Sequence, residues 1–305
     1  MEDSIIEVRD FRKVYGDFVA VDGITFEVNR GEIFGLLGPN GAGKTSTMES
    51  LEGLRLIDGG ELRVAGVDPG HQPHLLKRVL GVQLQSSGLP ANIRVDESMR
   101  LFCAYHGLPP RDDLLDRLGL NEKRSAQYHQ LSAGQQRRLA LALAVAHKPP
   151  VIFLDEPTAG LDVASRVQLH DLMRELQADG TTILLATHDM AEAAELATRV
   201  AILLRGKIAT IGTPLELTAA GAGLTKISVR TEGSSLARPE AKFPGIQQTS
   251  RQEEYFIYFT TDVGGTVSAL MAYLHAQSDQ LVDLRVERPS LEDRFLEITH
   301  HGAAQ

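Results

Sequence analysis

The octapeptide GPNGAGKT, residues 38 to 45, constrains the fold of this chain more than any other stretch. It follows the strand-like run IFGLLG and opens into TSTMESLEGL, which reads as a helix. Strand, glycine loop and helix in that order let a backbone wrap an anion. The glycines permit close approach, and the helix start offers outward N–H groups at the positive end of its dipole. In the pattern G-x-x-x-x-G-K-[ST], Lys44 pairs with β- and γ-phosphate oxygens, and the Thr45 hydroxyl joins a Mg²⁺ shell.

The neighbouring segments fit an α/β core around that loop. VLGVQLQ, PVIFLDEP and TTILLATH are short apolar runs with β-branched content and no strict alternation, the pattern of strands buried on both faces of a parallel or mixed sheet. ASRVQLHDLMRELQADG, between the last two, has apolar residues at helical spacing with Gly180 as its stop, which makes a βαβ crossover. Residues from about 86 to 149 are helix-rich and read as an insert, with helices expected in VDESMRLFCAYHGL, RDDLLDRLGL and LSAGQQRRLALALAV. VAILLRGKIATIGTP reads as a hairpin with Gly206 in its turn. These segments predict a first domain over residues 1–217, a small-residue linker at 218–223 (TAAGAG) and an α+β accessory domain over 224–305.

Polar residues at the ends of the buried strands are the candidates for chemistry, because ligands of open α/β sheets bind at the strands' carboxyl edge. VIFLDEP delivers Asp155, a metal partner, and Glu156, which can orient or deprotonate a water. TTILLATH delivers His188, and VLGVQLQ delivers Gln85, with Gln83 two residues earlier on the same face. Tyr15 offers a ring face on which a flat base can stack. A second anion-ready feature lies far from the glycine loop in sequence: Leu131 to Gln136 forms a small-residue turn that runs straight into a helix.

Composition removes several classes. A formal charge of −9 argues against a surface that coats nucleic acid, so no nucleic-acid partner is expected. Cys103 is the only cysteine, which excludes an intrachain disulfide or a cysteine zinc cluster. The first residues carry acidic groups where a signal peptide needs a basic head, and no apolar run reaches the roughly 18 to 20 residues of a membrane span. The chain alone is expected to be soluble and cytoplasmic.

The glycine loop, strand-end Gln, LSAGQ, VIFLDEP, AGLD and His188, in this order, resemble the ATP-binding cassette (ABC) family from about Tyr15 to Gly212. The tail PSLEDRFLEITH, residues 289 to 300, resembles the end of ATPase subunits of drug, antibiotic or polysaccharide exporters of the daunorubicin-resistance type. The resemblance implies a P-loop NTPase fold whose mixed sheet core carries an antiparallel β subdomain and a helical subdomain. It implies ATP and Mg²⁺ as cofactors. Tyr15 and the loop Gly38, Pro39, Asn40, Gly41, Ala42, Gly43, Lys44, Thr45 and Ser46 would hold the nucleotide. Thr45, Gln85 and Asp155 would hold the metal, Glu156 would activate water, and Gln85 and His188 would sense the γ-phosphate.

In that family two cassettes face each other head to tail. Ser132, Gly134 and Gln135 of one copy would then cover the ATP bound by the other, and Asp162 would cross the interface. Ala133 replaces the first glycine of the usual LSGGQ; a left-handed backbone there would cost about 1 to 2 kcal/mol. The implied role is the ATP-hydrolysing subunit of an exporter, a homodimer attached to the cytoplasmic face of the membrane through a separately encoded permease. A soluble ABC ATPase of DNA repair, translation or cluster assembly is the alternative, but no sustained heptads appear and only one phosphate loop is present. A GTPase or small-molecule kinase would leave LSAGQ unexplained.

Overall fold

The computed structural model describes residues 4–84, 88–219, 224–238, 241–287 and 290–301. The chain divides into two compact units at Pro214/Leu215. In the first, β1 (Ser4–Tyr15) and β2 (Phe18–Asn29) precede β3 (Ile33–Leu37), α1 (Lys44–Leu51), β4 (Gly59–Val64), α2 (Pro73–Val79) and β5 (Leu80–Gln83). Three helices follow, α3 (Val95–Tyr105), α4 (Asp112–Arg117) and α5 (Ala133–Val145). The chain then returns to β6 (Val151–Asp155), α6 (Val163–Ala178), β7 (Thr182–Thr187), α7 (Met190–Leu196), β8 (Arg199–Leu204) and β9 (Lys207–Gly212).

The main sheet has the order β5-β6-β7-β3-β8-β9, parallel except for β9. β3, β6 and β7 are buried at every position, as continuous apolar runs require when helices cover both faces. The second sheet, β2-β1-β4, is antiparallel, and its long strands alternate buried and exposed residues over much of their length. Its inner face shares one core with the main sheet. Phe26 of β2 stacks on Phe34 of β3 with centroids 5.3 Å apart, beside Phe11, Met48, Leu51 and Phe153. This joint core fixes β3, and hence the loop that follows it, between two sheets.

Helix boundaries follow local chemistry. Val95, Met99 and Cys103 of α3 are buried at a spacing of four. α6 stops before Gly180, whose φ of +90° suits a residue without Cβ. Arg205 and Gly206 both have positive φ in the tight turn between β8 and β9. The Gly206 N–H donates to Ala42 O (3.0 Å), and its carbonyl accepts from Asp22 N (2.8 Å), so this turn clips the glycine loop to β2.

α8 (Pro214–Ala219) begins at the last residue of the first unit; of the small-residue stretch 218–223, residues 220–223 lie outside the described residues. The second unit contains β10 (Thr225–Thr231), β11 (Ile246–Gln252), β12 (Tyr255–Thr260), α9 (Val263–Ala276), β13 (Leu281–Glu287) and α10 (Leu291–His301). Its sheet, β11-β12-β10-β13, is wholly antiparallel. Ile227, Val229, Phe243, Tyr258, Leu270 and Leu274 form its core.

Candidate functional site

The glycine loop is built for close backbone approach. A Cβ on Gly38 would lie 2.3 Å from the Leu203 carbonyl oxygen, and one on Gly43 would lie 2.7 Å from that of Ala20. Gly43 also has φ +107° and stands at the N-cap of α1, where no side chain caps the helix and no acidic residue occupies the first turn. The start of α1 is thus left to an external anion. Lys44 is buried and folded over its own loop: Nζ donates to Gly38 O (2.6 Å) and Pro39 O (3.3 Å) and lies 3.9 Å from Glu156 Oε1. Burial holds the Lys44 pKa below its ordinary value against the opposing pull of Glu156 and Asp155.

β6 and β7 bring three further groups to this edge. Asp155 and Glu156 are both buried. Burial, followed by the charge of Glu156, raises the Asp155 pKa, while Lys44 and Arg137 oppose the rise. Glu156 has φ +49°, and its N–H donates to Ala186 O (2.9 Å), which continues the β6–β7 pairing and turns the side chain out of the strand. His188 Nδ1 meets Glu156 Oε2 at 2.8 Å. At the end of β5, Gln83 is 1% exposed, and neither polar atom of its amide has a hydrogen-bond partner among the described residues. Gln85 lies outside the described residues.

Tyr15 closes the other side. Its hydroxyl is 3.3 Å from Ser46 Oγ, its ring is 39% exposed, and Lys13 Nζ lies 5.2 Å from the ring centroid. Tyr15, Asn40, Lys44, Thr45, Asp155 and Glu156 line one cleft of about 170 Å³ together with Phe18. Phe18 is 62% exposed and pairs in register with Tyr15 across the β1–β2 turn. Sequence reasoning passed over it; an aromatic three residues after Tyr15 across Gly16-Asp17 was the available signal.

The second anion-ready helix start does not line this cleft. Ser132 is the N-cap of α5: its Oγ accepts from Gln135 N (3.2 Å), and Gln135 Oε1 accepts from Ser132 N (2.9 Å). Ala133 is the first helical residue and is not among those with positive φ, so the expected left-handed penalty is absent. The position that needs glycine is Gly134, where a Cβ would sit 2.8 Å from Ser165 Oγ. Asp162, expected at an interface, caps α6 of its own chain, accepting from Ser165 N (2.9 Å) and Ser165 Oγ (2.8 Å).

The profile of the ABC transporter family matches residues 21–159. The chain is 35% identical over 310 residues to the Nod factor export ATP-binding protein I of Paraburkholderia xenovorans (strain LB400), covering 98% of each. The chain belongs to the ABC transporter family. It is an ATP-binding cassette and an ATPase. The cassette is also 33% identical to the daunorubicin resistance ATP-binding protein DrrA3 of Streptomyces coeruleorubidus, covering 98% of this chain and 97% of that protein. Among solved structures, an ATP-binding subunit of an ABC transporter superposes with TM-score 0.66 at 28% identity, over 70% of this chain and 92% of that one. The cbiO1 protein of Clostridium perfringens, part of the ABC transporter complex cbiONQ, gives 0.65 at 29%, over 72% and 92%. These matches do not support a role in DNA repair, translation or cluster assembly.

Proposed function

We propose that this cassette powers export through a separate membrane permease, as a head-to-tail homodimer in which each ATP is held by the glycine loop of one copy and covered by residues 131–136 of the other. One observation carries this reading: the chain has two helix starts suited to an anion, the uncapped start of α1 and the Ser132-capped start of α5, and they do not line the same cleft. The cleft at Lys44 is about 170 Å³, below the roughly 300 Å³ at which pockets begin to enclose a drug-sized ligand. A nucleotide seated there leaves its terminal phosphate open on one side, where a second helix start can bind it.

In this reading Lys44, the loop 38–43 and the α1 amides hold the phosphates, while Tyr15 stacks on the base. The oxygen donors Thr45 and Asp155 fit Mg²⁺, a hard cation; the buried Asp155 carboxylate lies beside a second carboxylate that raises its pKa, so added positive charge is favoured there. Bound, the ion would neutralise phosphate charge. Glu156 accepts the proton of the attacking water, with His188 fixing its carboxylate at 2.8 Å. Gln85 would join His188 in sensing the γ-phosphate.

Closure can be large enough to act as a switch. Moving a pair from 1:99 to 99:1 takes about 5.5 kcal/mol, and hydrogen bonds to charged groups contribute about 1.5 to 3 kcal/mol each. Two bonds from Ser132 and Gly134 at each of two nucleotides suffice, and loss of the γ-phosphate on hydrolysis removes them. Attachment to the cytoplasmic face through the permease accords with the printed roles of the export and resistance relatives. No described helix is long and apolar enough to cross a membrane.

The test is Glu156→Gln with MgATP, followed by light scattering on a sizing column. The variant should bind ATP, turn over at least about a hundredfold more slowly and run as a dimer. A monomer at high concentration would refute the shared site, and near-normal turnover would remove Glu156 from its role.

A further inference from the structure

Beneath the Glu156–His188 contact lies a second, fully buried polar link that the reading above leaves unused. Thr158, two residues after Glu156, is 3% exposed, and Glu192, four residues after His188, is 2% exposed. The Thr158 hydroxyl donates to Glu192 Oε1 at 2.6 Å. Glu192 Oε2 is buried and has no hydrogen-bond partner among the described residues. His170 of α6, itself 3% exposed, brings Nε2 within 3.4 Å of Glu192 Oε1 and Nδ1 within 3.4 Å of Glu195 Oε2.

A half-satisfied buried carboxylate is a poor way to stabilise a core, since an apolar side chain of similar volume does so without the desolvation penalty. What the carboxylate adds is direction. The segment from Glu156 to Asp162 turns sharply, with positive φ at Glu156 (+49°) and Gly160 (+75°). Its internal bonds are few: Ala159 N to Glu156 O at 3.2 Å and Leu161 N to Thr158 O at 3.1 Å. A turn of this kind keeps one shape only when its surroundings over-determine it.

α7 is well anchored by contrast. Asp189 caps it by accepting from Glu192 N (3.0 Å), Asp189 N donates to Thr187 Oγ1 (3.0 Å), and Arg166 of α6 reaches Asp189 Oδ2 (3.3 Å). The bonds Glu156–His188 and Thr158–Glu192 therefore close a short ring: turn, α7 start, and back.

We propose that Glu192, through its hydrogen bond from Thr158, is a positioning residue that holds the Glu156 turn in register with His188 and so sets the efficiency of ATP hydrolysis without touching the nucleotide. The inference rests on the assignment of Glu156 and His188 to water activation. It predicts an effect on turnover and not on binding, because neither residue lines the cleft at Lys44.

The experiment compares Thr158→Val, which keeps shape and removes the donor, with Thr158→Ser, which keeps the donor, in the full chain. Thr158→Val should lower kcat for ATP between about 10- and 100-fold, the loss expected when a reacting group is misplaced by about an ångström. KM and the affinity for a fluorescent ATP analogue should stay within about twofold, and Thr158→Ser should retain turnover. Added to His188→Ala, Thr158→Val should cost nothing further, since it acts through that contact.

If His188→Ala is impaired and folded Thr158→Val is not, the inference fails while the site assignment stands. If His188→Ala turns over normally, the site assignment itself fails. Should Thr158→Val not fold, Glu192→Leu and Glu192→Gln replace it: the first should lose turnover, while the second keeps an oxygen acceptor and should keep it. Full turnover in a folded Glu192→Leu, or a lowered melting temperature with unchanged kcat, would overturn the proposal.

Discussion

Glu52, the C-cap of α1, offers a quantitative test of the electrostatics around the site. Burial, then the charges of Asp155 and Glu49, push its pKa from 4.5 up to about 7. The residue is half-buried as a whole, but its Oε2 is sealed from solvent and has no hydrogen-bond partner among the described residues. Between 4.5 and about 7 the folded chain holds a proton that the unfolded chain has released, so stability falls as pH rises through that window. At 1.36 kcal/mol per pH unit the full loss is about 3 kcal/mol, reached above pH 7. Below 4.5 both states are protonated and nothing is lost.

Glu52→Gln imitates the protonated form at all pH values. It should therefore be worth less than about 1 kcal/mol near pH 5 and about 3 kcal/mol near pH 8, always as a gain. Urea unfolding without nucleotide, followed by circular dichroism on both proteins at both pH values, measures the difference. The second unit is common to both proteins and cancels. A gain independent of pH would mean that the substitution acts through packing or the unfolded chain. A loss at pH 8 would mean that the carboxylate has a partner and is not strained, and either result would refute the reasoning.

Two further substitutions test the geometry. Gly134→Ala places a Cβ 2.8 Å from Ser165 Oγ and should break the Ser165–Asp162 bond, lowering ATP-dependent dimerisation. Paired with Ser165→Ala the nearest contact lengthens to the 3.3 Å of the residue-165 Cβ, so the stability lost by Gly134→Ala alone should be recovered in urea unfolding. Tyr15→Ala should weaken ATP binding by about 1 to 3 kcal/mol, the stacking contribution of one base. Titration with inorganic triphosphate, which has no base, should show no such change, and an equal loss there would place Tyr15 outside base recognition.

Much of the site was legible because its physics is local. A glycine loop between a buried strand and an uncapped helix needs no distant partner to be recognised, and the runs ending in Asp155 and His188 are too apolar to lie anywhere but inside a sheet. What depended on tertiary contact was hidden. Glu192 stands in MAEAAEL beside Glu195, and nothing in that string says that one is buried and the other exposed. Gln83, two residues before Gln85 on the same face, has a buried amide with no hydrogen-bond partner among the described residues, and nothing in VLGVQLQ announces that. β11, IQQTSRQ, is an edge strand with an almost wholly exposed surface, so no apolar alternation marks it. At the signature the first glycine drew attention, whereas the tight contact is at the second, because the neighbour that crowds it belongs to α6.

That contact also joins the two anion sites of one chain. Gly134 packs on Ser165, Ser165 is bonded to Asp162, the turn from Asp162 back to Thr158 is closed by Leu161 N, and Thr158 is bonded to Glu192 beneath Glu156 and His188. Residues 131–136 engage a triphosphate only if they gain contacts in the closed pair that they lack in the open one, since a ligand shifts an equilibrium by no more than its differential affinity. A shift of the α5 start toward α6 presses on Ser165, where there is no room for another carbon at Gly134. The bonded chain Ser165–Asp162–Leu161–Thr158 then offers the displacement a route into the turn that carries Glu156. On the proposed reading, the carboxylate assigned to hydrolysis is thus coupled through packed side chains to the surface assigned to a partner's nucleotide, and Gly134→Ala, which sets a Cβ against Ser165 while keeping the Gly134 N–H and the glycine loop, should impair the turnover of both copies.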